Sequence, residues 1–238
     1  MAGRAGAHRR WLTLLALGLL AFAVAAFTYT EVLKLEPKPV TRAQVDRWLS
    51  PECGCPQASA AIRFQLREAQ RLDVTVEQKD GDAVRTLAAD RRFPAGTVLL
   101  SWDGRDDAGQ VVADGAFRVH VRLLEERRTI ELPKDLTVDT APPRATLLGV
   151  SPATLPPGTP LEVRYRASEP ALAVLLVDGE EVLRSRLREA GARVLRWDGL
   201  VAGVPPAAGT RFVAVELVDR AGNVSDRTDP VAVTVTGR

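Results

Sequence analysis

Three groups of side chains have the types and spacing for chemistry. Cys53 and Cys55 flank Gly54 in SPECGCP (50–56) and are the only cysteines. Residues two apart can reach the Cα separation that a disulfide needs, so a local Cys53–Cys55 ring is feasible. Outside the cytosol the thiols are expected to be oxidised. A bond to another chain, or a pair of free thiols, is the second reading. Half of a metal site is the third, since two thiolates with no nearby His fall short of the usual four ligands. Redox work asks for a low-pKa thiol beside cations or a helix terminus, and the flanking sequence offers neither.

The second group is Asp103, Asp106 and Asp107 in WDGRDDAG (102–109), where clustered carboxylates beside Gly are compatible with Ca²⁺. The later stretch WDGLVAGVPPAAG keeps only Asp198 of such acids. A site used twice should be kept twice, so these acids are a weak calcium candidate. The third group is the histidines, His8 and His120. His8 lies in the N-terminal tail, and His120 alternates with Val119 and Val121, which puts it on a solvent face. One His in the folded part excludes a His-dependent triad and a multi-His metal site. No nucleophile–base pair, phosphate loop or paired carboxylates stand out. The expectation is a protein that is not an enzyme and has no cofactor, catalytic residue or assigned metal.

The elements that hold these residues follow from composition and pattern. A chain of 238 residues makes one or two domains, at roughly 100–200 residues each. Lys plus Arg number 32 against 30 for Asp plus Glu, a net charge of +2 without the concentrated basic face of a nucleic-acid binder. MAGRAGAHRR (1–10) carries Arg4, Arg9 and Arg10 and no acid, and residues 11–29 are uncharged, from Trp11 to Tyr29. About 20 apolar residues span a bilayer as a helix, and the arginines place the N-terminus inside. The expectation is a cytoplasmic tail (1–10), a transmembrane signal anchor (11–29), a Pro-stiffened stalk (30–39) and extracytoplasmic domains beyond. The alternative is secretion after cleavage at Ala23-Val24-Ala25.

After residue 40 the pattern changes to short alternating runs. IRFQL (62–66), LDVTV (72–76), VLLSW (98–102) and FRVHVRL (117–123) have apolar residues at every second position, the period of half-buried strands. Asp80-Gly81, Asp103-Gly104, Ala108-Gly109 and Asp114-Gly115 separate them as turns. LLEERRTIELPK (123–134) reads as a solvated hairpin tip. The pattern then repeats. Ser50-Pro51, Arg63-Phe64, Glu68, Asp80-Gly81, Trp102-Asp103-Gly104 and Gly115 recur in order as Ser151-Pro152, Arg164-Tyr165, Glu169, Asp178-Gly179, Trp197-Asp198-Gly199 and Gly209. Two copies of one domain follow, at 40–139 and 140–238, joined by VDTAPP (138–143). Each has about seven short strands, the mark of an antiparallel β-sandwich. Trp102 shares strand parity with Leu100 and Val98, and Trp197 with Leu195, so both indoles should face the core.

WDGRDDAGQVVADGAFRVHV resembles the Ig-like domain of the flagellar hook-capping protein and related modules of exported bacterial proteins. Trp102, Asp103, Gly104, Gly109, Asp114, Gly115 and Phe117 carry the likeness. In the second copy Trp197, Asp198, Gly199, Gly203 and Gly209 fit. Arg211 stands where the aromatic is expected, with Phe212 one place late, and a bulge or shifted strand would account for this. VDRAGNVS (218–225) resembles a terminal hairpin of such modules. The resemblance implies an all-β chain with two tandem antiparallel Ig-like or fibronectin-III-like sandwiches. Taken with the anchor read from residues 1–29, which the flagellar family itself lacks, the expectation is a membrane-anchored spacer or interaction module at the bacterial cell surface. The alternatives are an assembly or scaffold component of an envelope machine, by analogy with hook capping, and a thiol- or metal-handling surface protein using Cys53-Gly-Cys55. The protein or envelope partner is unknown, and whether the sandwiches dock or hinge is open.

Overall fold

The computed structural model describes residues 15–28, 38–79 and 81–237. The chain divides into two units, one ending at Thr41 and the other beginning at Arg42. In the first unit residues 15–28 are α-helical and exposed throughout. Among the described residues no helix is long and apolar enough to cross a membrane. The transmembrane helix expected over 11–29 is therefore not supported. Its helical part covers 15–28, and residues 11–14 and 29 lie outside the described residues, as do the tail and residues 30–37 of the stalk.

The second unit is strand and loop apart from one 3-10 turn, Pro56–Ala58, and its first strand begins two residues before the boundary. Its first half contains β1 (Val40–Val45), β2 (Trp48–Leu49), β3 (Ala60–Leu66), β4 (Gln70–Gln78), β5 (Ala83–Phe93), β6 (Gly96–Trp102), β7 (Gly115–Leu123), β8 (Arg128–Glu131) and β9 (Leu136–Val138). One sheet has the order β1-β3-β6, the other β2-β9-β7-β4-β5, with β8 on β7. The second half contains β10 (Ala145–Ser151), β11 (Thr154–Leu155), β12 (Leu161–Ala167), β13 (Leu172–Val177), β14 (Glu180–Arg184), β15 (Gly191–Trp197), β16 (Gly209–Val218) and β17 (Val231–Val235). Its sheets run β10-β12-β15 and β11-β17-β16-β13-β14. The two halves have the same strand order, and only β8 lacks a counterpart.

Alternation builds both cores. In β3 Ala60, Ile62, Phe64 and Leu66 are buried, and in β12 Leu161, Val163, Tyr165 and Ala167 are. In the first half Val74, Val76, Val119 and Val121 are buried as well; in the second the β12 side chains share one core cluster with Leu175, Val177, Val215 and Val233. Phe64 pairs with Val98, four residues before Trp102; Tyr165 pairs with Arg193, four before Trp197. The Arg63-Phe64 and Arg164-Tyr165 match is thus one structural position. The β13–β14 turn has Asp178 and Gly179 both at positive φ, 52° and 88°, the backbone that Asp-Gly favours in a two-residue hairpin.

The Ser-Pro match does not hold. Ser50 and Pro51 follow β2, whereas Ser151 ends β10, ahead of β11. The loop between β2 and β3 spans 50–59; its counterpart between β11 and β12 spans only 156–160. The extra residues carry both cysteines.

Candidate functional site

The two Trp-Asp-Gly corners are built alike. Trp102 and Trp197 are 1% and 4% exposed. Each indole Nε1 donates to a carbonyl three residues on, Arg105 O and Leu200 O, both at 2.8 Å. Asp103 Oδ1 accepts from Arg105 N at 3.2 Å, and Asp198 Oδ1 from Leu200 N at 3.0 Å. The Asp closes the turn and the Trp ties it to the core. Gly104 and Gly199 take φ of +71° and +81°. A Cβ would collide with the Pro51 ring at Gly104 and with the Thr159 backbone at Gly199.

The remaining acids of the first corner are spent locally. Asp106 Oδ1 accepts from Ala108 N and Gln110 N at 2.9 and 2.8 Å. Asp107 accepts from Thr86 N and Thr86 Oγ1 at 2.9 and 3.1 Å. Among the described residues no three His, Cys, Asp or Glu side chains converge on a metal position, and Asp103, Asp106 and Asp107 are not brought together.

The aromatic position differs between the copies. Phe117 meets Trp102 edge-on, with ring centroids 5.1 Å apart. In the second copy no bulge intervenes: β16 pairs with β17 without a shift from Gly209↔Val235 to Val213↔Val231. Arg211 therefore occupies the place of Phe117. It reaches Asp178 Oδ2 at 3.0 Å and Ala207 O at 2.8 Å, and Phe212 projects from the other face, 51% exposed.

His120 lies on the outer face of its sheet, between Glu77 at 3.5 Å and Glu131 at 3.9 Å. The 123–134 stretch turns at 124–127 and returns as β8 on β7.

The cysteines lead to the principal site, the junction of the two sandwiches. Cys53 and Cys55 form a disulfide with Cα atoms 5.1 Å apart. Its loop receives the turn that follows β16. Ala221, Gly222 and Asn223 at the tip of VDRAGNVS are buried. Cys55 Sγ lies 3.7 Å from Ala221 O, and a Cβ on Gly222, at φ +89°, would strike that sulfur. Ser50 Oγ donates to Asn223 Oδ1 at 2.6 Å. Asn223 Nδ2 donates to Asp139 O and to Asp219 Oδ2, each at 2.8 Å. Asp219 Oδ1 accepts from Asn223 N at 2.9 Å. The Arg220 guanidinium lies over the Trp48 ring, 5.5 Å from its centroid. Beside it opens a cavity of about 310 Å³, walled by Trp48, Arg47, Gln57 and Arg220.

Carboxylates crowd this junction. Burial first, then the charges of Asp219 and Asp114, raise the Asp139 carboxyl above the usual range, against the lowering pull of Ala141 N–H. Burial first, then Asp139 and Asp219, raise Glu169 as well. Ser50, Asp139, Asp219, Gly222 and Asn223 escaped sequence reasoning. The signals available were the added cysteine pair beside Ser50 and the VDRAGNVS hairpin that holds Asp219, Gly222 and Asn223, with nothing in the sequence to join the two.

Residues 55–125 match the family model of the FlgD Ig-like domain, the family that Trp102 to Phe117 resemble. Among solved structures the chain is similar to the fibronectin(III)-like modules of Clostridium thermocellum CbhA. That match is 17% identical, covers 82% of this chain and 94% of that one, and has a TM-score of 0.43. The human OSCAR ligand-binding domain matches at 12% identity, covering 80% and 97%, with a TM-score of 0.35. The D0-D1 domain of Intimin matches at 12% identity, covering 82% and 99%, with a TM-score of 0.31. No curated protein matches the sequence.

Proposed function

We infer, from an FlgD Ig-like domain at residues 55–125 and a second sandwich of the same strand order docked against it, a non-enzymatic interaction module and spacer. The observation that carries this is the junction. Asn223 bridges the sandwiches through Ser50 and Asp139, and the disulfide fills the space over Gly222. A linker alone would leave two independent beads. Buried hydrogen bonds across the joint fix their relative orientation, which a spacer needs in order to hold a binding surface at a set position. Among the described residues Asp103, Asp106, Asp107 and Asp198 serve turns, Asp139 and Asp219 the joint, Cys53 and Cys55 a disulfide, and His120 stands between Glu77 and Glu131; this reading gives none of them a catalytic role.

The compartment reading rests on the sequence: arginines before an uncharged run at 11–29 and an oxidised cysteine pair fit a membrane-held, extracytoplasmic bacterial protein. A second reading, an assembly component of an envelope machine, rests on analogy with hook capping alone. NMR relaxation on the full chain tests the spacer reading. One common correlation time for both sandwiches is expected, and independent tumbling would defeat it.

A further inference from the structure

Sheet edges invite strand pairing, and proteins blunt them with charge, proline, bulges or brevity. β5 carries Arg85, Asp90, Arg91 and Arg92, and its pairing with β4 shifts register three times. β15 carries Arg193 and Arg196. β14 carries Glu180, Glu181 and Arg184 and is bulged against β13. β10 is bulged at Leu147/Gly149, and β1 has Arg42 at φ 49°. β2 and β11 are two residues long.

β6 is the least protected of these edges, its one irregularity being its first residue, Gly96, at φ +117°. Its sequence GTVLLSW contains no charge and no proline. It pairs with β3 without a shift from Ala60↔Trp102 to Leu66↔Gly96, and among the described residues nothing pairs with its other side. Leu99, in mid-strand, is 60% exposed.

We propose that β6 is an interface strand whose occupant is a second copy of this chain, its own β6 added antiparallel about a two-fold axis through Leu99. In that register Leu99 faces Leu99, Thr97 faces Ser101, and Val98 faces Leu100. An apolar pair forms at the axis, with hydroxyl pairs beside it. These are favourable cross-strand partners, and a neutral strand brings no like charges together. A two-fold contact is self-complementary by construction. The equivalent register on β15, centred on Val194, would bring Arg193 and Arg196 into the new ladder, so the inference is specific to the first sandwich. It deepens the interaction-module reading by naming a partner, and it rests on the free edge, not on the joint.

The test is sedimentation of the full chain in detergent, with NMR correlation times recorded alongside to follow the joint separately. The unaltered chain should form a dimer. Leu99→Arg and Leu99→Glu each place like charges opposite one another and should weaken self-association by at least about tenfold. Leu99 is exposed, so both variants should keep the circular dichroism spectrum of the unaltered chain, their thermal midpoints falling only by what dimerisation adds. An equimolar mixture of the two should dimerise again. A monomer at all concentrations, a dimer indifferent to either charge, or a mixture that stays monomeric overturns the proposal.

Discussion

Asn223→Ala separates docked sandwiches from merely adjacent ones. The side chain is 7% exposed and takes part in three hydrogen bonds of 2.6 to 2.8 Å. Two of them, to Ser50 Oγ and Asp139 O, reach the first sandwich. Alanine orphans both groups, each at a cost of about 1–3 kcal/mol when buried. Water entering the space left by the amide offsets part of this, which leaves about 2–4 kcal/mol. The ratio of docked to undocked forms then falls roughly 30- to 700-fold. The loss should fall on the joint, because Asn223 N still donates to Asp219 Oδ1 and the turn keeps its backbone. The assay is ¹⁵N relaxation, which gives each sandwich its own correlation time. The unaltered chain should give one shared value, and the variant two shorter ones with both sandwiches folded. A variant that keeps the shared value refutes the reasoning, since the amide would then contribute nothing across the joint.

Gly222→Ala should undock the sandwiches as well, because its Cβ meets the disulfide sulfur, and hydrogen exchange at Ser50 and Asp139 should rise with it. Gly199→Ala should destabilise the second sandwich by more than about 2 kcal/mol, since a strained φ adds to a backbone clash; Gly203→Ala, with open space around it, should cost only about 1 kcal/mol for its φ. Chemical denaturation ranks the pair, and equal losses would contradict the close packing at Gly199. Trp197→Phe should cost roughly 1–2 kcal/mol, chiefly for the lost donor to Leu200 O, by the same denaturation measurement. Asp139 and Glu169 are raised in the folded protein, so it retains protons that the unfolded chain has released. Stability against unfolding should therefore increase as pH falls from the raised folded values toward the ordinary carboxylate range near about 4, and level off below it. Asp139→Asn should flatten that response in chemical denaturation repeated across pH.

The repeat was legible because its strongest marks are local. Trp-Asp-Gly sets its own turn, through an Asp accepting from a backbone N–H two residues on and a Trp donating to a carbonyl three on. Such a motif looks the same wherever the fold uses it. Strand parity likewise placed Trp102, Trp197 and His120 on their faces. Ser50-Pro51 misled because a common dipeptide recurs by chance, and a change in loop length between β2 and β3 hid the mismatch. Arg211 suggested a shifted strand because an arginine at a core-facing position looks wrong in sequence; Asp178 and the Ala207 carbonyl, supplied by other loops, make it tolerable. The joint was not legible. Ser50 and Asn223 meet across most of the second unit, with no periodic pattern to link them. The cysteines could be seen to be an addition to the fold, but not what they pack against.

The joint also limits how many modules the array can hold. The plug, Ala221-Gly222-Asn223, belongs to the second sandwich, and the socket, Ser50 with the disulfide loop, belongs to the first. At the plug's position the first sandwich carries the β7–β8 hairpin instead. At the socket's position the second has the short 156–160 loop, with no cysteine. Neither end can therefore receive a further copy through this contact. Head-to-tail contacts that do not close on themselves propagate into filaments; here the plug and socket are each used once, and growth through this joint stops at two.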